Sequence, residues 1–215
     1  MTRGVRCVFV CVFDLLPAYS TQDYVRMAGT KCLNSECHTL FSGADHSEDM
    51  FEIRRTPQGK PYFPNMTEIG LSVSHSGSYI VCAFADGSIG VDIEGGQIYA
   101  NESSEDFSKR LCTIADRFFH PEEAAYIRED PQVRFNQIFT AKESYVKMTG
   151  TGFDETLGNH SVLPEDVPMP SCHTGGEPVR WSSAEAQFWQ TVYREDYTLC
   201  VCANALQTPY SVCVV

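Results

Sequence analysis

Apolar and polar positions follow two periods along this chain. From Cys7 to Leu16 the residues are nearly all Val, Phe, Cys and Leu, with Val8, Val10 and Val12 interleaved with Phe9 and Phe13 and a break at Asp14, which predicts a buried strand. Leu71 to Gly77 alternates and then ends in small turn-forming residues, and Tyr79 to Ala85 supplies a second strand; together they predict a hairpin with His75 exposed at its tip. In Ile89-Gly90-Val91-Asp92-Ile93-Glu94, alternation puts Val91 and Ile93 on one face and both carboxylates on the other. Trp181 to Val192 and Tyr197 to Ala203 read as closing strands.

Helical periodicity marks the middle of the chain. Ser20 to Met27 predicts a short helix, and Ala28 to Glu52, polar and rich in Gly, Ser and Asp, predicts mostly irregular structure. Ser103 to Phe119 carries acidic residues early and basic ones late, as a helix capped by Ser103 or Ser104 should, and Pro121 restarts a helix. From about Val133 to Thr149, Phe135, Ile138, Phe139, Ala141, Tyr145 and Met148 form an apolar face, while Asn136, Thr140, Glu143 and Lys147 form a polar stripe. Gly150 and Gly152 end this helix. By itself Glu143 with Lys147 is a helix pair worth a few tenths of a kcal/mol. Residues 152–180 predict loops with a strand or two. Both halves contain strands and helices, so the expected class is α+β with two packed lobes, residues 1–90 and 91–215, meeting in a cleft near Asp92.

With 215 residues, 43% of them hydrophobic, the chain can bury one substantial core or two small ones packed together. A net charge of -12 and a pI near 4.8 argue against nucleic acid or an anionic membrane as the main partner. Arg3 and Arg6 before the apolar run superficially resemble a signal peptide, but Asp14 interrupts the run and no small-residue cleavage site follows Leu16. No later run approaches a membrane span. The ten cysteines are therefore expected to be reduced, apolar residues of a cytoplasmic protein; Cys32, Cys37, His38 and His46 fit no standard zinc spacing. Arg54, Arg55 and Lys60 share one turn-rich loop. Asp92 and Glu94 repel each other unless a cation neutralises them, and oxygen ligands suit Mg²⁺.

Gly59-Lys60-Pro61, Ser74-His75-Ser76-Gly77, Gly90-Val91-Asp92-Ile93-Glu94, Phe118 to Glu123 (FFHPEE) and Lys142-Glu143-Ser144-Tyr145-Val146-Lys147 occur in one order. Together they resemble the 4'-phosphopantetheinyl transferases of the larger, surfactin-synthetase-activating type. The resemblance implies a monomeric pseudo-dimer of two similar α/β lobes that binds coenzyme A and Mg²⁺ in the cleft between them. It implies transfer of the phosphopantetheine arm to a serine of an apo acyl or peptidyl carrier protein, releasing adenosine 3',5'-bisphosphate. By motif, Asp92, Glu94 and Glu143 match the metal ligands, Lys60, Ser74 and His75 match coenzyme A contacts, and Lys147 matches the lysine beside the pyrophosphate. Glu143 or Glu123 is the candidate base, and Arg26, Lys31, Arg54 and Arg55 are candidates for the 3'-phosphate. A Mg²⁺-dependent nuclease would use similar groups but should carry a basic surface; a non-catalytic carrier-binding protein of the same fold is the third reading.

Overall fold

The computed structural model describes residues 6–42, 50–95, 102–152, 158–165, 167–172, 176–194, 196–204 and 210–215. The apolar run at the start forms β1 (Arg6–Asp14). Because side chains alternate across a strand, Phe9 and Cys11 enter one core while Val8, Val10 and Val12 enter another. β1 pairs antiparallel with β5 (Tyr79–Asp86), β5 with β4 (Ile69–Ser76), and β10 (Tyr210–Val214) runs parallel to β1, giving the order β10-β1-β5-β4. A separate ribbon pairs β2 (Arg54–Arg55) with β3 (Pro61–Tyr62).

The second sheet has the order β6-β9-β8-β7 and is antiparallel throughout: β6 (Ile89–Gly95), β9 (Tyr197–Asn204), β8 (Ala186–Tyr193) and β7 (Val179–Ser182). Its inner face, with Ile89, Val91, Ile93, Leu199 and Val201, packs on Val8, Val10, Val81 and Ala83 of the first sheet. Its outer face, with Cys200, Cys202 and Phe188, is covered by α2 (Ser104–Phe118), α3 (Pro121–Glu129) and α4 (Pro131–Thr149). On the far side of the first sheet lies α1 (Thr21–Leu33), packed through Tyr24, Val25, Ala28 and Cys32. Each Val, Ile or Leu buried in these layers contributes about 1.5–3 kcal/mol relative to exposure.

Three expectations need correction. The first helix does not stop near Met27: Tyr24, Val25, Ala28 and Cys32 recur at helical spacing and are buried, so packing carries it to Leu33 despite a polar composition. A short 3-10 turn, His38–Phe41, follows and sends Phe41 into the same core. The predicted strand from Trp181 to Val192 is two strands, β7 and β8, joined at Ser183 to Glu185. Among the cysteines, Cys11, Cys82, Cys112, Cys172, Cys200 and Cys202 are free thiols, as expected, but Cys37 is disulfide-bonded. His46 lies outside the described residues. The chain passes from the first sheet to the second at β6, which begins at Ile89, and its last strand returns to the first sheet beside β1. Among the described residues, no helix is long and apolar enough to cross a membrane.

Candidate active site

The site is built where α4 crosses β6. A Cβ on Gly90 would stand 1.8 Å from the Ser144 carbonyl oxygen and 2.6 Å from the Met148 amide nitrogen, so only glycine lets the helix backbone lie directly on this strand. That approach brings Glu143 and Lys147 of the α4 polar stripe to the carboxylate face of β6, while Thr140 of the same stripe accepts from Gln190 of β8. Lys147 Nζ lies 2.6 Å from Asp92 Oδ1 and donates to Ser74 Oγ at 2.7 Å. Ser74 in turn donates to Asp92 Oδ1 at 2.7 Å, and Ser76 donates to Glu94 Oε2 at 2.8 Å.

Burial sets the electrostatics. Asp92 is 2% exposed, and its Oδ2 is buried without a hydrogen-bond partner, a costly arrangement for a carboxylate. Desolvation raises the Asp92 pKa, while Lys147 and Ser74 hold it down in part. Burial likewise raises Glu94, against the Ser76 hydrogen bond. For Glu143, burial first and then the charge on Asp92 push the carboxyl up to about 7, with Lys147 opposing and Glu94 adding to the rise. The charge on Asp92 thus reaches both Glu94 and Glu143. Among the described residues, however, no three His, Cys, Asp or Glu side chains are grouped closely enough to hold a metal ion: the expected convergence is incomplete, with Lys147 seated on Asp92. The orphaned oxygen and the destabilised carboxylates fit a cation chemically.

A cleft of about 270 Å³ opens beside these groups, lined by Arg55, Lys60, Ser72, Glu143 and Lys147. Lys60 donates from Nζ to the Met148 carbonyl at 2.6 Å, tying the β2–β3 loop to the end of α4, where a cation suits the helix dipole; burial lowers its pKa. Gly150 closes that helix in the left-handed conformation, φ 76°. His75 is exposed at the end of β4, as expected, and alternation aims it away from Ser74 and Ser76. The Ser74 hydroxyl, expected to face coenzyme A, is engaged with Asp92 and Lys147.

Glu123 is not brought to the cleft. It is fully buried, 2.6 Å from Lys142 Nζ, and accepts from the amides of His120 and Val162 at 3.0 and 2.7 Å. Both oxygens are committed to joining α3, α4 and the segment near residue 160, where Lys142 also donates to the His160 carbonyl. Sequence reasoning passed over Lys142, Gly90 and the alternation of Ser72, Ser74 and Ser76 opposite Asp92 and Glu94. That alternation is a readable signal, because polar residues every second position in an otherwise apolar strand mark one face.

A family model for the 4'-phosphopantetheinyl transferase superfamily matches residues 88–202, which contain β6, α4 and the three carboxylates. The chain belongs to that superfamily. It is 32% identical over 154 residues to a 4'-phosphopantetheinyl transferase of Bacillus subtilis, covering 67% of this chain and 59% of the relative. It is 30% identical over 137 residues to 4'-phosphopantetheinyl transferase Sfp of Bacillus subtilis strain 168, covering 59% and 56%. The chain spans little more than half of the length of these relatives.

Proposed function

We propose that the protein is a 4'-phosphopantetheinyl transferase, moving the 4'-phosphopantetheine arm of coenzyme A to a serine of an apo acyl or peptidyl carrier protein. The observation that carries this reading is one cleft lined by Arg55, Lys60, Lys147 and the raised carboxyl of Glu143, with Lys147 in turn paired to the buried, half-satisfied Asp92. Arg55, Lys60 and Lys147 hold the pyrophosphate and the leaving adenosine 3',5'-bisphosphate by charge. Asp92, Glu94 and Glu143 are the residues that would hold Mg²⁺, which when bound withdraws charge from the phosphoryl oxygens. Glu143, which lines the cleft, rather than Glu123, which is buried on Lys142, takes the proton of the carrier serine. The serine oxygen forms the new P–O bond as the pyrophosphate P–O bond breaks.

In this reading the two face-to-face sheets, each with its own helical layer, are the lobes of a monomeric pseudo-dimer, with the cleft at their junction along β4, β6 and α4. The free thiols favour a cytoplasmic setting, with Cys37 the exception. The test is to mix the purified protein with coenzyme A, Mg²⁺ and a panel of apo carriers and to read the carrier masses. A phosphopantetheine mass gain that requires both coenzyme A and Mg²⁺ is expected; no gain on any carrier, with no coenzyme A binding by calorimetry, overturns the reading.

A further inference from the structure

β4 and β6 belong to different sheets, and where they run side by side serine hydroxyls replace ladder partners. Ser72 Oγ accepts from the Val91 amide at 3.0 Å, and Ser76 Oγ accepts from the Gly95 amide at 3.4 Å. A hydroxyl has one proton to donate and two lone pairs to accept with. Ser76 is 7% exposed, so its rotor is confined, and with the Gly95 amide on a lone pair its proton goes to Glu94 Oε2 at 2.8 Å. The serine thereby reads the backbone position of β6 and fixes the carboxylate carried by the residue before Gly95.

We propose that Ser76 is a positioning residue for Glu94, fixing one carboxylate oxygen so that the other is presented to the cation of the transferase site; the role rests on the function proposed above. Ser76 touches neither coenzyme A nor the carrier serine in this assignment. Its pattern is Ser74's, repeated one strand period along: Ser74 donates to Asp92 as Ser76 donates to Glu94. Ser74 also receives Lys147, whereas the Ser76 proton serves the carboxylate alone. Partners behind metal ligands typically change metal affinity by about 10–100-fold when removed.

The experiment measures Mn²⁺ binding to the intact protein with coenzyme A present, by electron paramagnetic resonance of the free ion, for the unsubstituted protein and for Ser76→Ala, Ser76→Thr and Ser76→Cys. Transfer to a carrier is followed in parallel against Mg²⁺ concentration. Ser76→Ala should weaken Mn²⁺ binding about 10-fold and raise the Mg²⁺ needed for half-maximal rate by a similar factor, with the KM for coenzyme A at saturating Mg²⁺ within about twofold. Ser76→Thr, which keeps the hydroxyl, should restore both. Mn²⁺ affinity in Ser76→Ala within about twofold of the unsubstituted protein, or equal losses in the Ala and Thr variants, overturns the role while leaving the transferase reading standing. Should the Ala variant not fold, the nearly isosteric Ser76→Cys, a weaker donor, takes its place, and unchanged affinity in it overturns the role. No Mn²⁺ binding by the unsubstituted protein overturns the cation site itself and this role with it.

Discussion

Glu143 bears an electrostatic cost in the protein without its ligands. Its carboxyl is pushed up to about 7 from an ordinary 4.5 by burial, Asp92 and Glu94, with Lys147 only partly offsetting them. A folded value above the unfolded one means that the folded state holds its proton more tightly, so stability is present below about pH 4.5 and is lost as pH rises through 7. Glu143→Gln removes the charge at similar volume. The variant should match the unsubstituted protein at about pH 4 and exceed it at about pH 8 by about 1 kcal/mol, after discounting for solvent reaching this half-buried side chain. Urea titrations at the two pH values, in chelator, check this; a variant less stable at pH 8 would show that Glu143 is stabilised as an anion. Asp92 and Glu94 were legible from alternation because a strand's two-residue period assigns faces without tertiary information. The state of Glu143 was not, since its shift depends on desolvation and on charges contributed by β6.

Neighbouring residues on one helix serve different elements in this protein. Lys142 points toward α3 and pairs with Glu123, whereas Glu143 points to β6 and the cleft. The Glu123–Lys142 pair is 0% and 2% exposed at its side chains, and such a pair is expensive to break because the surviving charge stays buried. Glu123→Ala should therefore cost about 3–5 kcal/mol of stability, seen as a large drop in the thermal midpoint. Activity should persist at temperatures where the variant remains folded. Loss of turnover by several orders of magnitude in a variant of normal stability would instead return Glu123 to the chemistry. The motif FFHPEE exposed Pro121 and the helix start, and the structure has them: His120 caps α3 and Pro121 is its first residue. It did not expose Glu123 as a structural acid, since its partners Lys142 and Val162 are 19 and 39 residues away and only the packing of α3 on α4 brings them in. Gly90 is similar. In sequence it is one glycine in a strand, and its role appears only when α4 lies against it.

At the scale of the whole molecule, the charge of -12 and the cationic lining of the cleft pull in opposite directions. Coenzyme A, the co-substrate proposed above, is a small polyanion; in that proposal it enters beside Arg55, Lys60 and Lys147, which line the cleft, and local attraction has to outweigh the distant net charge. The proposed partner, a folded carrier protein, would if acidic in composition approach from farther out and meet the repulsive field of the whole surface. Raising NaCl from about 20 to about 200 mM shortens the screening length from about 20 to about 7 Å. The two substrates should then respond with opposite sign: the KM for coenzyme A rises as its phosphate contacts are screened, while kcat/KM for an acidic carrier rises by roughly twofold or more as repulsion fades. Initial rates over a salt series, varying one substrate with the other saturating, separate the two. If kcat/KM for the acidic carrier falls with salt, a basic patch steers the carrier and the net charge does not govern the encounter. If the KM for coenzyme A is insensitive to salt, the cations of the cleft do not hold its phosphates, and the roles assigned to Lys60 and Lys147 fail.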